Sequence, residues 1–269
     1  MDSFSIDKSI LSKEYTEHCV FDEIDYIKKF YNSISFACFL FVPTGTRGIT
    51  NYTSYMYRSF EGTLDSIRTL LKNGRITDAF VLLRKLFDDV ITEIYIDVIR
   101  KDKYDIEQNR IIKDIDEWLT GKYRLPKIKK ILNVLEKSQT TEKIYPFFGW
   151  ETYLEKNREL LDDIVHSNRF NLLLLNCNSV HLDNRLKQLQ NISIVLGQII
   201  MIHLSFIFYL NPQYLMDSTY MDYIDLGETP PEGCENLIAP YAQNAFDKYI
   251  KPHPKLAAFI KKECYLHIE

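Results

Sequence analysis

The chain has 269 residues, of which 46% are apolar and 26% charged, ordinary globular values that argue against disorder. Nine glycines and nine prolines are few for this length and argue against a turn-dense all-β fold. A formal net charge of −4 removes any global electrostatic case for nucleic-acid binding and leaves open a local basic face.

The five cysteines, Cys19, Cys38, Cys177, Cys234 and Cys264, are odd in number and widely scattered. Without a Cys-x-x-Cys spacing or a nearby Cys/His cluster they give no zinc signature, and reduced thiols in a cytosol are the simplest reading. Met1–Asp25 mixes acids and bases without an early apolar stretch, so no signal peptide is expected.

In chain order, a short polar lead precedes a modest helix at about Asp22–Tyr31. Ile34–Val42 (ISFACFLFV) is an apolar run too short to span a bilayer and reads as a buried strand or helix turn. The loop PTGTRGI, residues 43–49, has two glycines and an arginine but lacks the Lys-Ser/Thr ending of a phosphate-cradling loop. Met56, Phe60, Leu64, Ile67, Leu70 and Leu71 follow helical spacing, and Lys72-Asn73-Gly74 is a helix stop. The next helix is the clearest in the chain. Ala79, Leu82, Leu83, Leu86, Phe87, Val90, Ile91, Ile94, Tyr95 and Val98 keep the rhythm for about five turns, with Thr77 or Asp78 able to cap its start. The two helices form an antiparallel hairpin.

Shorter amphipathic helices are expected over 106–120 and 126–137, the second rich in lysine, most simply a solvated face. A helix from Trp150 ends at His166. His181–Met216 holds the longest helical signal, with no charged residue from Gln188 through Met216. Ile192–Leu210 could span a bilayer by length, but Gln198, His203 and Ser205 interrupt it, and a buried central helix without membrane contact is the favoured reading. His203 reads as a satisfied core histidine. Pro212 ends that helix, and helices near 235–250 and 254–262 finish the chain. The expectation is an all-α bundle of about eight helices, a single domain with a core at about 50–210 and an extension over 211–269.

The most suggestive chemistry lies at Leu161–Asn168 (LDDIVHSN). Arg158, Asp162 and His166 follow at i, i+4 and i+8, so Asp162 can accept a hydrogen bond from the His166 imidazole and favour its protonated form. A histidine that ends a helix and caps its carbonyls, with no further role, explains the same residues. Asp217, Asp222, Asp225, Glu228 and Glu232 match no known cation loop and read better as helix and turn caps, so no metal or cofactor is expected.

The tail LDDIVHSN resembles the degenerate helix end of HEPN-type domains (higher eukaryotes and prokaryotes nucleotide-binding). The segment Leu64–Ile96 (LDSIRTLLKNGRITDAFVLLRKLFDDVITEIYI) resembles helices of HEPN-like bacterial proteins, some of them tied to phage defence. The resemblance covers about residues 55–170, with a looser match near Tyr214–Gly233. It implies a helical bundle that forms a homodimer, acts in the cytoplasm on RNA or on a protein partner in a defence system, and, in active members, cleaves RNA without metal through an R-x4–6-H motif. His166 would be the motif histidine, but the arginine position falls on Leu161, Leu160 or Glu159, and Arg158 is one step too far. Arg84, in the segment LLRKLFDD, could replace it, or could simply pair with Asp88 one turn on. On this resemblance His166, Arg84, Asp162 and Asn168 would be catalytic, while Arg158 and Arg169 would contact substrate. His166 would act as acid or base, Asp162 would orient it, and an arginine would stabilise the phosphate. A non-catalytic helical interaction module is the alternative.

Overall fold

Each long amphipathic run of the sequence becomes a helix, and the way their apolar stripes meet fixes the architecture. The computed structural model describes residues 11–40, 51–107, 111–149, 154–166, 170–177, 179, 182 and 184–269. In order the helices are α1 (Lys13–Thr16), α2 (Val20–Ala37), α3 (Tyr52–Lys72), α4 (Ile76–Lys103), α5 (Lys113–Leu119), α6 (Ile128–Lys137), α7 (Glu155–Val165), α8 (Phe170–Leu174), α9 (Arg185–Leu210), α10 (Thr219–Asp225), α11 (Pro240–Tyr249) and α12 (Pro254–Glu263). The described residues form no strand. The helices outnumber the expected eight because short pieces such as α1, α8 and α10 lack the length to print a period on the sequence.

The four longest helices close a ring. α2 packs on α3, α3 on α4, α4 on α9, and α9 back on α2. The ring draws on α2, which lies before residue 50, so the buried centre reaches beyond the 50–210 segment. α6 and α7 cover the outer side of α4, and α11 and α12 cover α9. Buried apolar side chains from Tyr15 to Leu266 form one continuous cluster through all of this.

The boundaries follow from local chemistry. Asn51 starts α3 by accepting the Ser54 amide at 3.2 Å. α3 ends where Gly74 takes φ of +72°. There the amides of Gly74 and Arg75 reach back to the carbonyls of Leu71 and Leu70, each at 2.9 Å, which closes the helix and aims the chain into α4. Arg185, buried at the start of α9, locks this corner by donating to the carbonyls of Gly74, Leu175 and Cys177.

One sequence expectation is decided and two change. Ile34–Leu40 takes the helical of its two readings, since α2 runs to Ala37 and a 3-10 turn follows over Cys38–Leu40. The longest helix is α4 with 28 residues, ahead of α9 with 26. Neither Thr77 nor Asp78 caps α4. Arg75 is the cap residue without a side-chain bond, and Asn176 supplies the acceptor, taking the amides of Thr77 at 2.9 Å and Asp78 at 3.4 Å. The PTGTRGI loop lies outside the described residues.

In α9, 72% of the apolar window is buried inside the protein, so packing among helices accounts for its hydropathy. The lysines of α6 stand on its exposed face, opposite buried Ile131, Leu132 and Leu135.

Candidate functional site

Two groups of charged side chains stand on α4, and the first is the one expected from sequence. α7 packs on α4 through buried Leu161 and Ile164, which brings the polar edge of each helix together. Arg84 Nε donates to Asp162 Oδ1 at 2.9 Å, and the other end of the guanidinium pairs with Asp88. Arg158 Nε lies 3.5 Å from Asp162 Oδ2, too poorly aligned to bond, and that buried nitrogen has no hydrogen-bond partner. Partial burial raises the Asp88 carboxyl against the lowering pull of Arg84. The structure therefore joins Arg84, Arg158 and Asp162.

It does not join His166 to them. His166 is the residue that closes α7, its backbone amide donating to the Asp162 carbonyl at 3.0 Å. The imidazole is exposed and has no hydrogen bond or ion pair among the described residues. The expected bond to Asp162 is absent, and that carboxylate faces the guanidiniums of Arg84 and Arg158 instead. The side chains of Asn168 and Arg169 lie outside the described residues.

The second group was not anticipated as a group. Along α4 the core line Leu86–Val90 continues at helical spacing as Glu93–Asp97–Arg100, so these charges point into the ring. Glu93 is 2% exposed and His203 of α9 is 1% exposed. The imidazole is satisfied on both sides, as a core histidine should be. Tyr31 of α2 donates to Nδ1 at 2.7 Å, and Nε2–H donates to Glu93 Oε2 at 3.1 Å, the tautomer following from its partners. Tyr57 of α3 donates to the other Glu93 oxygen at 3.0 Å. Each ring helix thus contributes one member.

The network continues toward the end of the bundle. Asn211, which ends α9, donates to Asp97 and accepts from Arg100 Nη2 at 2.7 Å. Arg100 Nη2 also lies 3.0 Å from Asp97 Oδ1, and Nη1 lies 3.4 Å from the Tyr52 hydroxyl. Burial pushes Glu93 up to about 7, against hydrogen bonds from Tyr57 and Asp97 and the charge of Arg100. Burial likewise lifts Asp97 to about 7 against Arg100, and it lowers His203 to about 3. One guanidinium faces two carboxylates, and burial favours the uncharged form of both acids.

What the two groups can do chemically differs. The buried one offers an acid pair and a neutral histidine but is sealed by Tyr31, Tyr57 and Phe60, so substrate has no access. The α4–α7 group is open to solvent, yet its strongest cation is engaged. In the 217–232 segment two of the acids serve the start of α10, where Asp217 accepts the Thr219 amide at 3.0 Å and Asp222 accepts from Ser218 at 3.1 Å. Among the described residues, no cluster of three or more His, Cys, Asp or Glu side chains could hold a metal ion. Comparison with protein-family models, with curated proteins and with solved structures finds no match to the chain.

Proposed function

We propose that this chain is a HEPN-like helical module that works by binding rather than by cutting. It acts in the bacterial cytoplasm as part of a defence system and joins a second copy of itself across α7 and α8. One observation carries the reading: Arg84, the best replacement for the missing motif arginine, spends its guanidinium on Asp162 and Asp88, while the His166 ring has no hydrogen bond or ion pair among the described residues. An acid/base histidine needs both a fixed ring and a nearby charge stabiliser. The outer sides of α7 and α8 instead expose Leu160, Leu173 and Phe170, the last 74% exposed, flanking His166 in the chain. Both helices are seated on α4, through the Arg84–Asp162 pair and through the Thr77 hydroxyl bonded to the Leu172 carbonyl, which gives a partner a braced surface.

The test is a ribonuclease assay of the purified chain beside His166→Ala, with mass measured on the same samples and on Phe170→Glu. Binding without cutting predicts no cleavage by either protein, a dimer for wild type and a monomer for Phe170→Glu. Cleavage that disappears with His166→Ala would refute it.

The endoribonuclease reading has one observation of its own. The Arg158 side chain is 27% exposed and makes only an ion pair with Asp162 among the described residues, which leaves its outer nitrogens to meet a strand phosphate. On that reading Arg158→Ala and His166→Ala both abolish cleavage, and Asn168 and Arg169 hold the phosphate beside them.

A further inference from the structure

On the side of α9 away from α4, a pocket of about 410 Å³ opens between α9, the 3-10 turn at Tyr145–Phe148 and the start of α12. It is independent of both charged groups. Phe147, Phe148, Met201, Pro254 and Leu256 line it, and its polar side chains are His253 and Lys255. Its shape is fixed by packing behind it: Phe147 stacks against Phe259 at 5.0 Å between ring centres, and Phe148 against Phe206 at 5.8 Å. The volume falls in the range of small-molecule sites, about 300–1,000 Å³.

The charges on the lining have one sign. No carboxylate lines the pocket, and neither His253 nor Lys255 has a hydrogen bond or ion pair from its side chain among the described residues. α12 begins at the same place, with His253 as an N-cap that makes no side-chain capping bond and Pro254 as its first residue. The amides of Lys255 and Leu256 lie in the first turn, where a helix has no internal acceptor to offer. The side chains of His253 and Lys255 and the two free amides can all donate here, while Phe147 and Pro254 form the open apolar walls over a buried floor of Phe148, Met201 and Leu256. Such walls favour a flat ring over a flexible chain, through offset stacking and sulfur–aromatic contact.

We propose that this pocket binds a small aromatic carboxylate, with its ring against Phe147 and Pro254 over the floor of Phe148 and Met201, and its carboxylate at Lys255 and His253. The charge-assisted bond to Lys255 selects the anion, and the apolar walls select the ring.

Titration calorimetry of the full chain with 1-naphthylacetate tests this, beside the neutral analogue 2-(1-naphthyl)ethanol and beside laurate. The expected result is one naphthylacetate bound per chain, at least tenfold more tightly than either comparison compound. Lys255→Gln should weaken naphthylacetate about tenfold and leave the alcohol unchanged, and Leu256→Trp, which fills the space, should abolish both. Lys255 is exposed, so its variant keeps the test valid even if Leu256→Trp misfolds. No binding of naphthylacetate, equal binding of the alcohol, tighter binding of laurate, or an affinity untouched by Lys255→Gln would each overturn the proposal.

Discussion

Helix α4 carries two sets of charges in succession, and their surroundings make them behave differently. Arg84 and Asp88 stand at the half-open seam with α7, where Asp162 faces two arginines at once and water can replace any partner. Glu93, Asp97 and Arg100 stand inside the ring, where Glu93 depends on Tyr57 and His203, and Arg100 and Asp97 depend on each other and on Asn211. Near water a lost partner costs little, since solvent screens and substitutes. In the interior the same loss leaves a charge with nothing to replace its hydration. Burial, rather than the kind of residue, decides which set the fold depends on.

The largest expected effect tests that dependence directly. Arg100→Met should destabilise by about 3–5 kcal/mol in urea unfolding, because it strands the Glu93–Asp97 pair without its cation. A loss below about 1 kcal/mol would mean that the interior set is no more demanding than the seam.

The next prediction uses pH. Glu93 and Asp97 have folded values above their unfolded ones, so their contribution is complete below the unfolded values and is lost as pH rises through about 7. His203 runs the other way: its folded value is depressed, so its contribution is present above the unfolded value and is lost as pH falls toward about 3. Glu93→Gln cannot ionise, so its stability relative to wild type should rise by about 1–3 kcal/mol between pH 5 and pH 8 in paired urea titrations. A flat difference would show that Glu93 keeps an ordinary carboxyl value.

At the seam the effects shrink. Arg84→Ala should cost about 0.5–1 kcal/mol, reduced by the partial exposure of Asp162 and by Arg158, which can take over that carboxylate. A cost as large as that of Arg100→Met would erase the contrast. His166→Ala should leave the unfolding free energy within about 0.5 kcal/mol of wild type, as expected of an exposed ring with no partner among the described residues.

The long periods were legible in the sequence. The hairpin of α3 and α4, the stop at Gly74 and the burial of α9 all follow from apolar spacing and one left-handed glycine. Arg84 beside Asp88 was legible too, being a matter of one helical turn. Asp162 as the partner of Arg84 was not, because 78 residues separate them and no local rule links them. The interior network was hidden for another reason. A stripe that turns from Leu86 and Val90 to Glu93, Asp97 and Arg100 looks like a helix rotating its polar face outward. The signal that it does not rotate lies elsewhere, in a helix that is uncharged from Gln188 onward, carries His203 and ends at Asn211. Polar residues inside an apolar helix need partners, and the acids on α4 are the ones in reach.

Asn176 carries a consequence for how the chain assembles itself. It reaches back 99 residues to Thr77 and ties down the first turn of the helix that bears both sets of charges. During synthesis α4 leaves the ribosome whole before the residue that secures its beginning exists. The same late segment supplies the carbonyl of Leu175 that Arg185 grasps, so one short piece of chain fastens the starts of α4 and α9 in a single closing event. Folding should therefore wait on that closure, with slow formation of long-range contacts in a molecule whose helices form fast by themselves.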